Sequence, residues 1–330
     1  MSGTDHGSDG EAPRAPSGAR SGVADHGVHT DPGALDELTD AARGEATEAG
    51  PDGAVAGYRQ GRTLRLSVEL RRQLRRRRTQ FVLALVALLP ILLVLAFEIG
   101  EAESNRRSGG FIDLATASAP NFVVLTLFVS GSFLLPMIVA LYFGDTVASE
   151  SSWSSMKYLL AIPVPRHRLL RQKAIASALL SALTLVVLPV VALLVGVVWY
   201  GTGDAISPTG DAIAFAPSLI AIALGTLYIL LQLAWVAGLG LFLSVSTDAP
   251  LGAVGGTVLV SILSQILDQI TALGGLREFL PTHFAFAWMD LIASEVDWTE
   301  MASGLLSATI YATVFGLLAA RRFATKDITS

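Results

Sequence analysis

Long apolar runs, separated by polar connections, dominate this chain. A helix needs roughly 20 mostly apolar residues to cross the hydrocarbon core of a bilayer. Six runs meet this length or come close to it: residues 81–97, 120–143, 174–200, 216–246, 251–270 and 302–320. The pattern therefore predicts an all-α integral membrane protein with six transmembrane helices. The fourth run is long enough to tilt or to project beyond the bilayer.

The composition agrees with a lipid environment. Of the 330 residues, 52% are hydrophobic and only 15% are charged, whereas soluble domains average about 25% charged residues. The sequence contains no cysteine, which excludes both a disulfide framework and a thiolate metal site.

Residues 1–57 differ from the rest of the chain. They hold 11 acidic residues and three arginines, with few large apolar side chains. Such a segment buries too little apolar surface to offset its loss of conformational entropy. We expect a disordered acidic cytoplasmic tail.

The positions of lysine and arginine predict the orientation. Residues 58–80, 145–173 and 321–330 together carry 17 of the 23 basic residues, while the connections at 98–119, 201–215 and 271–301 carry three. Basic residues are retained on the cytoplasmic side. We therefore expect a multi-pass protein of the plasma membrane with both termini in the cytoplasm.

Residues 58–80 are predicted to form an amphipathic basic helix at the membrane interface. Leu66, Leu70 and Leu74 recur every four residues, and arginines occupy the other faces. Two interpretations stay open. The helix anchors the topology at anionic headgroups, or it is an elbow helix that also braces a cytosolic partner.

The loop 145–173 is longer than an orientation signal requires. It contains an amphipathic segment, Trp153, Met156, Leu159 and Leu160, which is followed by Pro163 and Pro165. A short helix of this kind can bind its apolar face into a groove on another protein.

The order of residues in this loop resembles the permeases of ABC-2 type transporters. The match consists of Glu150, Ser155, Leu159-Leu160, Pro163-Val164, Arg166 and Lys173, placed between the second and third of six spans. The family pattern has an acid, Gly-Thr, two leucines, Pro-Val-Ser-Arg and a lysine. The chain departs from it at Ser152, Ser154 and Pro165. The likeness in topology extends over residues 58–325.

The resemblance implies a permease whose loop 145–173 carries a cytoplasmic coupling helix that docks onto an ABC ATP-binding subunit. The implied contact residues are Glu150, Ser155, Lys157, Leu160, Pro163 and Arg166. The turn 246–250 would make a smaller contact. Family permeases pair as homo- or heterodimers and usually export their substrates. ATP and Mg would then belong to the partner subunit, with no cofactor on this chain and no nucleic acid as partner.

Motifs for other chemistry are missing from the sequence. No G-x-x-x-x-G-K-[ST] phosphate loop and no HExxH zinc motif occurs, so we expect neither an ATPase nor a metal or catalytic site. The alternatives are an ATP-independent secondary transporter, which would place ionisable residues near the middle of its spans, and a membrane-embedded enzyme, which would need catalytic groups at depth.

Polar and small residues within the spans are candidates for the transport pathway or for helix packing. They are Gln232, Gln265, Asp268, Gly252 and Gly256. Asp268 either reaches water at the interface or lines an outward vestibule. The outer loop 271–301 is rich in aromatic residues. The resemblance implies short re-entrant helices here, and the alternative is one amphipathic helix lying flat on the membrane. Pro90, Pro136 and Pro189 are expected to kink their spans.

Overall fold

The computed structural model describes residues 66–103, 111–152, 166–207, 210–293 and 296–325. The tail 1–57, residues 58–65 of the predicted interface helix, and Ser155, Lys157, Leu160 and Pro163 of the predicted coupling contact lie outside the described residues. The roles assigned to them remain predictions.

The described chain is built from helices that follow the apolar runs. The helices are α1 (Leu66–Leu74), α2 (Arg77–Glu103), α3 (Phe111–Ala115), α4 (Ala119–Ser132), α5 (Leu134–Ser152), α6 (Arg166–Tyr200), α7 (Phe215–Gln232), α8 (Ala234–Ser246), α9 (Pro250–Asp268) and α10 (Trp298–Thr325). Five spans are long and apolar enough to cross a membrane, one of them made of α7 and α8, and the bent pair α4–α5 makes a sixth. The all-α membrane class is confirmed, and the predicted six spans are reached when the bent pair counts as one span.

The ends of the second and third spans that the sequence predicts to face the cytoplasm, called the inner ends below (the opposite ends are called outer), differ from the prediction. Helix α5 continues to Ser152, and α6 begins at Arg166, so residues 145–152 and 166–173 belong to the spans rather than to a loop. Only residues 153–165, called the connector below, join the two helices. The polar residues stay helical here because their charges pair with neighbouring helices, as described below.

Pro136 explains the bend between α4 and α5. Proline has no N–H, so it cannot donate to the carbonyl four residues earlier, which is that of Ser132. The two helices meet at Phe133 with an angle of 52°. The freed Ser132 carbonyl accepts a hydrogen bond of 2.7 Å from Gln265 Nε2 of α9. Pro90 and Pro189 lie inside the continuous helices α2 and α6.

Two glycines allow helices to approach closely in the core. A Cβ at Gly238 of α8 would lie 3.1 Å from Ala312 Cα of α10, and one at Gly144 of α5 would lie 3.1 Å from Val254 Cα of α9. Both positions face the backbone of a neighbouring helix. The small residue therefore brings helix axes together where lipid offers no hydrophobic drive for association.

The outer connections are folded against the helices. Residues Ala205–Ile206 and Ala212–Ile213 form a two-residue antiparallel hairpin. Asn121 of α4 pairs with its first strand, accepting from Ile206 N and donating to Ile206 O, each at 2.8 Å.

The other outer connection, residues 271–292, is called the outer segment below. It contains the 3₁₀ helices Thr271–Phe279 and Ala287–Ile292. Trp288 in the second is 1% exposed, whereas Phe279 and Trp298 are exposed. The second half of the outer segment is thus buried in the bundle, which disagrees with one flat helix and agrees with the re-entrant alternative.

Enlarging Gly238 should loosen the α8–α10 contact. We expect Gly238→Leu to lower the free energy of unfolding by about 1–3 kcal/mol, the usual cost of overpacking a core, because the new side chain meets the backbone of Ala312. Gly316→Leu on α10 is the control, since a Cβ there meets nothing within 4 Å. Denaturant titration in detergent micelles measures both. Equal stability of the two variants would contradict the close contact.

Candidate functional site

A buried ion pair joins the two helices that flank the connector. Glu150 lies in the last turn of α5, and Lys173 lies in the second turn of α6. Glu150 Oε1 is 2.5 Å from Lys173 Nζ, and the two side chains are only 9% and 6% exposed. Because a buried charge is costly without a partner, this pair fixes the inner end of α5 against the inner end of α6.

Helix α1 is joined to the same pair. Arg72 Nη2 lies 2.8 Å from Glu69 Oε1 and 3.4 Å from Glu150 Oε1, and Gln73 Nε2 donates to Glu69 at 2.9 Å. Burial alone would raise the pKa of Glu69, but the hydrogen bonds from Arg72 and Gln73 outweigh it and hold this pKa below its ordinary value. The bond to Glu69 in turn raises the pKa of Arg72.

A second acid, Asp145, extends the cluster one and a half turns along α5. It forms an ion pair with Arg78 at the start of α2, and Arg76 Nη1 lies 3.9 Å away. The same part of α5 also contacts α8. The buried Ser244 of α8 accepts hydrogen bonds from the backbone N–H groups of Val147 and Ala148, each at 3.0 Å.

These contacts form the inner ion-pair cluster: Glu69, Arg72, Gln73, Arg76, Arg78, Asp145, Glu150 and Lys173. It ties α1, α2, α5 and α6 together beside the connector. An ion pair of this kind can hold helices in one arrangement, and it can exchange partners when the helices move. No group of three His, Asp or Glu residues suited to a metal ion occurs within the described ranges.

Of the six residues of the predicted coupling contact, the structure describes Glu150 and Arg166. Glu150 is the central acid of the inner cluster, near the end of α5 rather than at the start of a coupling helix. Arg166 is the first residue of α6. The partners Arg72, Arg78 and Asp145 were not singled out from the sequence. The signal that could have indicated them is the presence of nine arginines and only one acid, Glu69, in residues 58–80.

At the other end of the bundle, hydrogen bonds hold the outer segment to three helices. From α7, Gln232 Nε2 donates to Pro281 O and Tyr228 OH donates to Phe284 O, both at 2.7 Å. From α10, Tyr311 OH donates to Phe279 O at 2.7 Å.

Helix α9 supplies the remaining bonds to the outer segment. Ser264 Oγ lies 2.7 Å from Thr282 Oγ1, and Asp268 Oδ1 lies 2.5 Å from His283 Nδ1. Arg277 also donates to the backbone oxygen of Asp268 at 3.2 Å. The contact of Asp268 with His283 was not indicated by the sequence, because the two residues are 15 positions apart.

Three of the predicted polar residues therefore contact backbone carbonyls or the outer segment. Gln232 is buried and binds Pro281, Gln265 binds Ser132, and Asp268 binds His283. With a rise of 1.5 Å per residue, Gln232 and Gln265 each lie about 21–23 Å from the inner ends of their spans. The two residues therefore lie at a similar distance from the inner ends of their spans.

The two predicted glycines of α9 have different surroundings. A Cβ at Gly256 would lie 3.2 Å from Leu243 of α8, so this glycine faces its own bundle. Gly252 is exposed, and a Cβ there would meet only Ala249 and Thr247, in the turn that precedes α9. Their assignment to the transport pathway or to helix packing remains a prediction.

Comparison with known proteins gives one family. The model of the family described as "ABC-2 family transporter protein" matches residues 66–247, more than half of the chain. The match begins with α1 and ends just after α8, so it includes the whole inner ion-pair cluster. No curated protein matches the chain.

Removing one partner of the buried pair should destabilise the protein. We expect Lys173→Met to cost about 3 kcal/mol of unfolding free energy, because Glu150 loses its nearest cation while remaining buried. The double variant Glu150→Met/Lys173→Met should cost less than the two single variants added together. Arg171→Met, an exposed position on the same helix, is the control. Denaturant titrations of the purified variants provide the comparison, and additive costs would show that the pair is not coupled.

Proposed function

The chain belongs to the ABC-2 transporter family, and from this premise we propose that it is the permease of an exporter driven by a separate ATP-binding subunit. Members of this family are components of membrane transport systems. ATP hydrolysis on a partner chain, the outward direction and the coupling contact are part of the proposal.

The single observation that carries the proposal is the inner ion-pair cluster beside the connector. Glu150 and Lys173 are buried and paired on the two helices that the connector joins, and Arg72 of α1 contacts the same acid. A displacement of the connector between α5 and α6 would therefore act directly on two membrane spans. In a permease with no partner at this end, well-packed apolar residues could hold the two helices together equally well. The buried charges are therefore better explained by a partner that acts on this end.

The proposed mechanism is a shift between two arrangements of the spans. ATP binding draws the two ATP-binding subunits together, and their docked surface displaces the connector. Binding can favour one arrangement only through contacts that differ between the two. The ion pairs of Glu150 and Asp145 are suited to be those contacts, because charged partners can be exchanged without unfolding a helix.

The remaining features of the complex follow the family. We propose a pair of permeases, identical or different, in the plasma membrane, with both termini in the cytoplasm and the outer segment on the opposite side. The distribution of basic residues supports this orientation.

Reversing the charge at Arg166 tests the coupling contact. In the complex purified through a tag on this chain and reconstituted in lipid vesicles, we expect Arg166→Glu to abolish ATP turnover, measured as phosphate release, while thermal stability and membrane insertion stay unchanged. Repulsion at the docking surface is the physical reason. Arg321→Glu, an exposed charge reversal at the end of α10, should keep wild-type turnover.

The same purification tests the partner. Mass spectrometry should identify a subunit with a phosphate-loop motif in the wild-type complex and much less of it with Arg166→Glu. Wild-type turnover by Arg166→Glu would remove this contact from the mechanism. A wild-type preparation that transports without any ATP-binding subunit would refute the proposed function itself.

The orientation can be tested by labelling because the chain contains no cysteine. We expect a membrane-impermeant maleimide to modify Glu278→Cys in intact cells and His167→Cys only after permeabilisation. Both positions are exposed on the protein, so differences in reactivity report the side of the membrane. Labelling of His167→Cys in intact cells would reverse the proposed topology.

A further inference from the structure

The bent span α4–α5 connects the two ends of the bundle that carry polar contacts. At its inner end, α5 holds Asp145 and Glu150 of the inner ion-pair cluster. At its outer end, the bend at Phe133 leaves the Ser132 carbonyl without its usual helical donor, because residue 136 is proline. No water is present in the hydrocarbon core to replace that donor.

Gln265 of α9 supplies the missing donor. Its Nε2 lies 2.7 Å from Ser132 O, and the two residues are 133 positions apart in the chain. A second contact joins α9 to the same bent span about 17 Å further inward along α9, where Gly144 of α5 packs against the backbone of Val254. Helix α9 is thus fastened to the bent span at two levels, at the end of α4 and within α5, and is suited to move with that span.

Helix α9 continues the connection to the outer segment. Ser264 directly precedes Gln265 and contacts Thr282, and Asp268 lies one turn further and contacts His283. Three residues of one helix turn therefore join the bent span on one side and the outer segment on another.

We propose that Gln265 is a positioning residue that transmits displacement of the inner end of α5 to the outer segment. The inference deepens the proposed function and depends on it. When the inner end of α5 moves, the bent span pivots at Phe133, three residues before Pro136. The hydrogen bond from Gln265 keeps α9 attached at the pivot, and Ser264 and Asp268 carry the outer segment with α9.

The cysteine-free chain again provides the measurement. Glu278 is exposed in the outer segment, so the labelling rate of Glu278→Cys reports rearrangement there. In the purified complex in nanodiscs, trapping with ATP and vanadate should change this rate about fivefold or more, at the low end of ordinary coupling between sites. Adding Gln265→Leu should remove the response. Gln269→Leu, at an exposed residue directly after α9, should retain it.

A second variant separates transmission from simple stability. In Pro136→Ala/Gln265→Leu, the alanine N–H can donate to Ser132 O, so the carbonyl is satisfied without Gln265. We expect this double variant to regain the thermal stability that Gln265→Leu loses, and still to lack the response of Glu278→Cys to ATP and vanadate.

The outcomes distinguish this inference from the proposed function. The inference alone would be overturned if Gln265→Leu kept the change in labelling rate on trapping, or if the double variant recovered it. The proposed function would stand in both cases, because it requires only that the parent Glu278→Cys complex responds. A parent complex with neither ATP turnover nor a labelling response would overturn the proposed function and this inference with it.

Discussion

Every polar backbone group within the hydrocarbon core must find its partner inside the protein, and this constraint shapes the bundle. Pro136 removes one helical donor, and the orphaned Ser132 carbonyl is satisfied by Gln265 from a distant helix. In the outer segment, the carbonyl of Pro281 accepts a hydrogen bond from Gln232, and that of Phe284 accepts one from Tyr228. Polar side chains within the spans are therefore placed where the backbone departs from a regular helix.

The charged residues obey the same requirement at the inner end. The side chains of Glu150 and Lys173 are almost fully buried, and they are tolerated there because each neutralises the other at 2.5 Å. Arg72 and Arg78 bring α1 and α2 into the same network through Glu150 and Asp145. The result is a set of helices held by exchangeable contacts next to the connector, whereas the apolar body of the bundle is held by close packing at glycines such as Gly238.

These two sets of contacts give physical content to the family assignment. The family match covers α1 to α8 and therefore the helices that form the inner cluster. Helix α5 extends from this cluster to the bend, and α9 extends from the bend to the outer segment. Under the proposed function, a change driven by ATP at the inner end has to reach the outer segment, and α5, the hydrogen bond from Gln265 to Ser132 and α9 lie between these two ends.

The sequence by itself determined the all-α membrane class and the apolar runs that form the spans, because hydropathy and the 20-residue length of a span are local properties. It also indicated that Gln232, Gln265 and Asp268 are unusual, since polar groups are costly in lipid, whereas Glu150 was indicated by the resemblance to ABC-2 permeases. Their partners were decided only by the tertiary structure. Gln265 meets Ser132 across 133 residues, and Arg72 meets Glu150 across 78. No periodicity in the chain encodes such pairs, because they depend on how the helices pack.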